Sequence, residues 1–279
     1  MEELKPMMPA YSVCMSVYKN DKLDDFLLAV RSIYNQTVRP GEIILVVDGP
    51  VSDNLSRGID ELESEIPDLK VLRLEKNMGH AIARQTALEA ATHDLIAIMD
   101  SDDIAVPNRF EQQLTIFEMH PEVSVVGGII DEFIGSIDNI VGTRMVPEHD
   151  ASIKQYMKSR CPMNLVTVMM RKIDVMAVGG YIDWYCEEDY YLWIRMMLQG
   201  YQFYNIQEKL VNVRVGKEMY QRRGGKRYFK SEARLQKYMR DNKIISTVRY
   251  LYNVMIRWVL QVAMPNWLRG WVFKTFARK

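Results

Sequence analysis

Cysteine is scarce in this 279-residue chain: Cys14, Cys161 and Cys186 stand far apart and form no Cys-x-x-Cys pair. That spacing excludes a disulfide framework and a zinc ribbon, and it predicts buried, reduced thiols of a cytosolic protein. The first ten residues, MEELKPMMPA, hold no apolar run, so a secretory signal is not expected. There is no internal repeat, low-complexity tract or long linker. With 48% hydrophobic and 26% charged residues, the composition also excludes collagen, coiled coil and wholesale disorder. A chain of this length buries a sizeable core without staples, as one large domain or two small ones.

Net charge is absent too, but the zero hides a division. Residues 209–279 carry 18 Lys and Arg against three Asp and Glu, so the first 208 residues hold 18 against 33. A basic end of this kind predicts an anionic contact: nucleic acid, a phosphorylated substrate or an acidic membrane surface.

What is present is alternation. YSVCMSVY (11–18), EIILVVD (42–48), LKVLRLE (69–75) and DLIAIMD (94–100) read as strands. Helical spacing fills 21–36, with Asp21 as its expected cap, then 53–65, 79–91 and Pro107 to Met119. Strands alternating with helices predict an α/β fold: a Rossmann-like, mostly parallel sheet covered on both faces. After residue 120 the pattern loosens. VSVVGGIIDEF (123–133) and NLVTVMMR (164–171) read as strands, 187–199 as a helix ending at Gly200, and the chain from about 228 as basic and helical.

Ligands of such sheets bind beyond the carboxyl ends of the strands. The loops there hold Tyr18-Lys19-Asn20, Asp48-Gly49-Pro50, Lys76-Asn77-Met78-Gly79 and Asp100-Ser101-Asp102-Asp103. Three carboxylates in one turn repel one another, and a divalent cation offsets that repulsion. Mg²⁺ in particular takes one or two carboxylates plus substrate phosphates. One aspartate would suffice for the competing role, a cap ahead of Pro107. Asn77, Gly79 and Arg84 surround a helix N-terminus, where backbone N–H groups and a cation favour phosphate oxygens; an exposed salt-bridge arginine is the plainer reading of Arg84. Glu187-Glu188-Asp189 opens a bulky apolar helix, as helix capping or as a source of a general base. Gln221-Arg222-Arg223-Gly224-Gly225-Lys226-Arg227 offers guanidinium forks for phosphate, or a solvated basic loop.

With these loops in this order, residues 10–215 resemble glycosyltransferase family 2, the inverting nucleotide-sugar transferases of GT-A fold. VVDGP (46–50) resembles the family's V-D-D-G-S strand end, with Val47 for the first Asp. KNMGHAIARQTAL (76–88) resembles its N-x-G-x-x-x-A-R-N segment, with Gln85 for the last Asn. DSDD (100–103) resembles the D-x-D metal motif, and GGY…EED…LW (179–193) the acceptor-side E-D motif. The resemblance implies that Asp48 contacts the nucleotide base and that Arg84 lies near base and phosphates. It makes Asp100 and Asp102 the metal and sugar-diphosphate residues, Asp189 the catalytic base and Glu188 its neighbour. Tyr18, Asn77, Gly79, Ser101, Arg222 and Arg223 complete the nucleotide-sugar site. Two departures stand out. Gly216 occupies about the place where many relatives carry a metal-holding His, so either the metal lacks a protein ligand from this segment or Arg222 or Arg223 neutralises the diphosphate instead. Asn164-Leu165 stands where some relatives have Asn-His. The VDGP and Arg-Arg-Gly-Gly segments are similar to those of the bacterial exopolysaccharide and O-antigen branch, amylovoran-type transferases included.

The implied arrangement is a catalytic domain over 1–227, with a nucleotide-sugar half (about 10–120) and an acceptor half (about 121–227), followed by a basic amphipathic tail over 228–279. The expected cofactor is Mg²⁺ or Mn²⁺, the donor a UDP-, dTDP- or GDP-sugar, and the acceptor a glycan or lipid-linked glycan. In 244–264, Ile244, Ile245, Val248, Leu251, Met255, Trp258 and Val259 are interspersed with Arg249 and Arg257; Trp267, Trp271, Phe273 and Phe276 follow among four cations. Two arginines oppose a membrane span, whereas a helix lying in a membrane interface or packed on the domain suits the pattern. A peripheral site at the cytoplasmic face of the cell membrane is therefore expected. Two rivals remain. A nucleotidyltransferase needs a glycine-rich, lysine-containing loop after the first strand, and Tyr18-Lys19-Asn20-Asp21 has no glycine. A non-catalytic nucleotide-sugar-binding partner of an assembly complex fits Val47 and Gly216 but not Asp102 and Asp189. Nucleic-acid binding explains the basic tail alone and ignores the acidic rim.

Overall fold

The computed structural model describes residues 8–216 and 225–264. Four parallel strands form its first half: β1 (Tyr11–Val17), β2 (Glu42–Val47), β3 (Leu69–Arg73) and β4 (Leu95–Asp100), in the spatial order β3-β2-β1-β4. Their side chains alternate between two cores, which is why the strands are apolar at successive positions. Ile43, Leu45 and Val47 pack with α1 (Leu23–Tyr34) and α2 (Asp53–Glu65), through residues such as Phe26 and Ile59. Ile44 and Val46 face the other way, toward Ala83, Ala87 and Leu88 of α3 (His80–Ala90).

The second half comprises β5 (Ile104–Ala105), α4 (Arg109–Met119), β6 (Val123–Phe133), β7 (Ile140–Arg144), α5 (Asp150–Met157), a 3₁₀ turn (Leu165–Thr167), β8 (Met169–Arg171), α6 (Lys172–Ala177), α7 (Glu188–Leu198) and β9 (Gln202–Arg214). One sheet runs β3-β2-β1-β4-β8-β6-β9-β5, with β7 beside β6. β8 lies antiparallel to both β4 and β6, while β6 and β9 pair parallel. The sheet is thus parallel in its first four strands and mixed beyond them.

Three local expectations are corrected. The strand expected over 164–171 shrinks to Met169–Arg171. Asn164 Nδ2 donates to the Gly128 carbonyl at 2.8 Å, and Thr167 Oγ1 donates back to the Asn164 carbonyl at 2.7 Å, winding the intervening residues into the 3₁₀ turn. Asp21 does not cap α1. The cap position is Lys22, without a side-chain bond, and Asp21 accepts from the Tyr18 N–H instead. Cys14 is buried and Cys161 half-buried, but Cys186 is exposed, at φ +57° in the turn before α7; the three thiols form no disulfide.

The C-terminal segment is helical as its composition predicts: α8 (Lys226–Asp241), α9 (Thr247–Trp258) and a π-helical turn (Val259–Ala263). Ser246 caps α9 by accepting the Arg249 N–H. Leu235, Met239 and Ile245 join the core layer of Trp193 and Leu192, so these helices pack on the sheet domain. Among the described residues, no helix is long and apolar enough to cross a membrane.

Candidate active site

β1, β2 and β4 end at one rim, and the loops beyond them build a cleft. Asp48, 5% exposed, follows β2 directly. Its carboxylate accepts the Met78 N–H at 2.6 Å, the Gly79 N–H at 2.9 Å and Asn77 Nδ2 at 3.0 Å. Charge-assisted bonds of this kind are the strong ones, and here they fold the loop between β3 and α3 over the end of β2. This loop and the one after β2 each need a glycine. Gly49 has φ +84°, and a Cβ there would lie 2.4 Å from the Asn77 nitrogen; Gly79, at φ +90°, leads into α3 with open space around it. Asp48, Asn77 and Gly79 therefore form one unit, with Asp48 as its anchor.

The Asp100–Asp103 turn divides into two sets. Asp103 is 2% exposed and turns away from the cleft, where Oδ1 accepts the backbone N–H of Arg214 at 2.8 Å. Burial pushes its carboxyl well above the usual range, and the charges of Asp102 and Asp100 add to this. The Ser101 hydroxyl and the Tyr18 N–H both donate to Asp21 Oδ2, each at 2.9 Å, which ties the first loop to this one. Asp102 is exposed to water yet flanked by protein. Partial withdrawal from solvent, then repulsion from Asp100 and Asp21, pushes its carboxyl up to about 6. The crowding foreseen from sequence among Asp100, Asp102 and Asp103 is thus present, and Asp21 of the first loop adds a fourth carboxylate to it. His80, at the start of α3, is edge-on to the Tyr18 ring, with centroids 6.2 Å apart. Its pKa is lowered by desolvation and by Arg84.

Arg84 is the hub. It is 8% exposed, so it is not the solvated arginine that its sequence setting also allowed. Nη2 meets Asp100 Oδ1 at 3.1 Å, and Nη1 meets Glu188 Oε1 at 2.7 Å. Both carboxylates hold the guanidinium in its charged form against the effect of burial. One side chain thereby joins the end of β4 to the first turn of α7, elements 88 positions apart at Asp100 and Glu188. The neighbouring Asp189 accepts the Tyr190 N–H at 2.7 Å and contacts the Cys161 thiol at 3.8 Å. Desolvation, reinforced by Glu188, pushes its carboxyl up to about 6.

Asp21, His80, Cys161 and Arg214 were not among the site residues named from sequence. Arg214 backs the Asp turn by donating to the Asp102 carbonyl and pairing with Asp25 at 3.0 Å. The only sequence cue was a cation directly after the LVNV run that ends β9. Asn164, by contrast, is buried in the fold by its bonds to the Gly128 and Arg144 carbonyls. Arg222 and Arg223 lie outside the described residues.

Comparison with known proteins identifies the family. The family model for glycosyl transferase family 2 matches residues 12–181. A UDP-Gal:alpha-D-GlcNAc-diphosphoundecaprenol beta-1,3-galactosyltransferase of Escherichia coli is 35% identical, over 97% of this chain and 98% of its own length. The amylovoran biosynthesis glycosyltransferase AmsE of Erwinia amylovora is 37% identical over 81% of this chain and 84% of its own. Among solved structures, S. aureus TarS 1–349 in complex with UDP-GlcNAc superposes with a TM-score of 0.64. It covers 90% of this chain and 72% of that one at 15% identity, a likeness of GT-A fold alone. The chain belongs to glycosyl transferase family 2 and is a glycosyltransferase of the exopolysaccharide and O-antigen branch.

Proposed function

We propose that the cleft moves a sugar from a nucleoside diphosphate sugar to a hydroxyl of a lipid-linked glycan, with inversion and with Asp189 as the base. The observation that carries this reading is the Arg84 bridge, which sets the Asp100 turn and the Glu188-Asp189 turn on opposite sides of one guanidinium. A donor diphosphate lies over the Asp48-anchored loop and the α3 N-terminus, where backbone N–H groups favour anionic oxygens. The acceptor hydroxyl approaches from the α7 side and loses its proton to Asp189. A carboxyl pushed up to about 6 is ionised at neutral pH and remains a better base than an ordinary aspartate. The nucleoside diphosphate leaves from the opposite face in the same displacement.

Asp100 and Asp102 suit a divalent cation. Partial burial and, after it, repulsion from Asp100 raise the Asp102 carboxyl, and a cation relieves that repulsion. Among the described residues no three His, Cys, Asp or Glu side chains form a ready cage, which matches Mg²⁺ or Mn²⁺ completing its shell from substrate phosphates. When bound, the ion would supply Lewis-acid stabilisation of the leaving diphosphate. The E. coli relative's printed name specifies a diphosphoundecaprenol-linked acceptor and UDP-Gal. By extension, this chain works at the cytoplasmic face of the cell membrane, on a donor of the UDP-, dTDP- or GDP-sugar class.

The test is nucleoside diphosphate release from a panel of nucleotide sugars, with a diphosphate-lipid GlcNAc acceptor, in Mg²⁺, Mn²⁺ or EDTA. Metal-dependent release from one donor is expected. Undiminished release in EDTA would remove the metal from the proposal.

A further inference from the structure

α9 is built inside out. Its inward side is polar: Asn253 Nδ2 donates to the Lys158 carbonyl at 3.1 Å and to Gln236 Oε1 at 2.7 Å. Arg257 donates to the Ser159 carbonyl at 2.7 Å and lies 3.3 Å from Glu232. Its outward side is apolar. Val248, Leu251, Tyr252, Met255, Trp258 and Val259 recur at helical spacing and are between 42% and 78% exposed. The buried polar contacts fix the helix in this orientation, so the stripe cannot turn into the core. Contiguous exposed apolar surface of this kind marks an interaction site.

The charges around it select the partner. Between 225 and 264 the chain has nine Lys and Arg against two acidic residues. Lys226, Arg227, Lys230, Arg234, Lys237, Lys243 and Arg249 are all exposed, whereas no acidic residue lies on α9. Pairing two copies of this segment would bring like net charge together. An anionic bilayer satisfies both features at once, with the apolar face in the acyl boundary and the cations among the headgroups.

We propose that α9 docks the protein on anionic phospholipid, lying in the plane of the membrane with Val248, Leu251, Met255 and Trp258 inserted. The placement has a consequence for the site. The buried face of α9 grips Lys158 and Ser159, two residues before Cys161, whose thiol touches Asp189. The docked helix therefore sits one short loop from the acceptor side of the cleft, where a lipid-borne hydroxyl would be presented. That consequence rests on the acceptor reading above; the docking itself does not.

The experiment is flotation of the full chain with vesicles of phosphatidylcholine alone or mixed with phosphatidylglycerol, in the absence of donor and acceptor. Binding to the mixed vesicles is expected, weakened by salt. The triple variant Val248→Ser, Leu251→Ser, Met255→Ser should bind at least about tenfold more weakly while melting at the same temperature. Val248→Ser alone, at the most exposed position, should shift binding in the same direction should the triple variant fold poorly. Absence of binding by the wild type, or equal binding by the variants, would overturn the proposal. So would a wild-type dimer that ignores vesicles and becomes monomeric in the variant, which would assign the stripe to a second copy. Because no turnover is read, failure here leaves the transferase proposal standing, and failure of transfer leaves docking standing.

Discussion

Replacing Arg84 with methionine removes the guanidinium but keeps much of its volume. It leaves two carboxylates aimed at an apolar side chain. Glu188 is 13% exposed at its side chain and Asp100 35%, so they do not respond equally. Removing one partner of a fully buried pair costs about 3–5 kcal/mol, because a charge is left uncompensated. Asp100 regains water and contributes little of this, so a loss of about 2–3 kcal/mol is expected, centred on Glu188. For a protein of this size that lowers Tm by about 3–5 °C. Adding Glu188→Gln to Arg84→Met should recover about 1 kcal/mol, since the double variant carries no stranded charge there. Urea unfolding of wild type, both single variants and the double variant measures this coupling. A fall in Tm below about 1 °C, or strictly additive single effects, would refute the hub assignment.

Two further expectations follow from the same geometry. Gly49→Ala should be more damaging than Gly79→Ala. Both sites have positive φ, a strain of about 1–3 kcal/mol for other residues, but only at Gly49 does the new Cβ meet the Asn77 nitrogen, at 2.4 Å. Thermal melts and the donor KM of the two variants check this, and equal behaviour would count against the loop's role. The second concerns pH. Asp102 and Asp189 both reach about 6 in the fold, above the ordinary carboxylate value of about 3.9. Between those values the native chain holds more protons than the unfolded one, so stability falls as pH rises through about 4 to 6. Asp189→Asn should therefore melt at or above the wild-type temperature at pH 8, and the gain should vanish near pH 4. A variant less stable than wild type at pH 8 would contradict this ordering.

The first half of the fold was legible because Ile43–Val47 and Leu95–Met99 are unbroken apolar runs, β1 and β3 are mostly apolar, and turn residues separate the strands from the helices. The second half was less so. β5 has only two residues and β8 three, too few to show a period, and the parallel pairing of β6 with β9 joins segments separated by most of the acceptor half. Local pattern cannot report such pairing. The candidate site was legible as a set of loops, since rim residues follow strand ends. What each carboxylate does within its loop was not legible. Asp102 and Asp103 are adjacent and alike in sequence, and they diverge because the Arg214 backbone, 111 positions away, captures one of them. Arg84 looked like a surface residue on a small apolar helix; its burial depends on Asp100 and Glu188 arriving from other elements.

The most direct measurement is the anomeric configuration of the product, read by NMR, together with the turnover of Asp189→Asn. Single displacement with Asp189 as base predicts a product whose anomeric configuration is opposite to that of the donor, and a loss of about 10²-fold or more in kcat for the variant. A product that keeps the donor's configuration, or a variant turning over at the wild-type rate, would contradict the account.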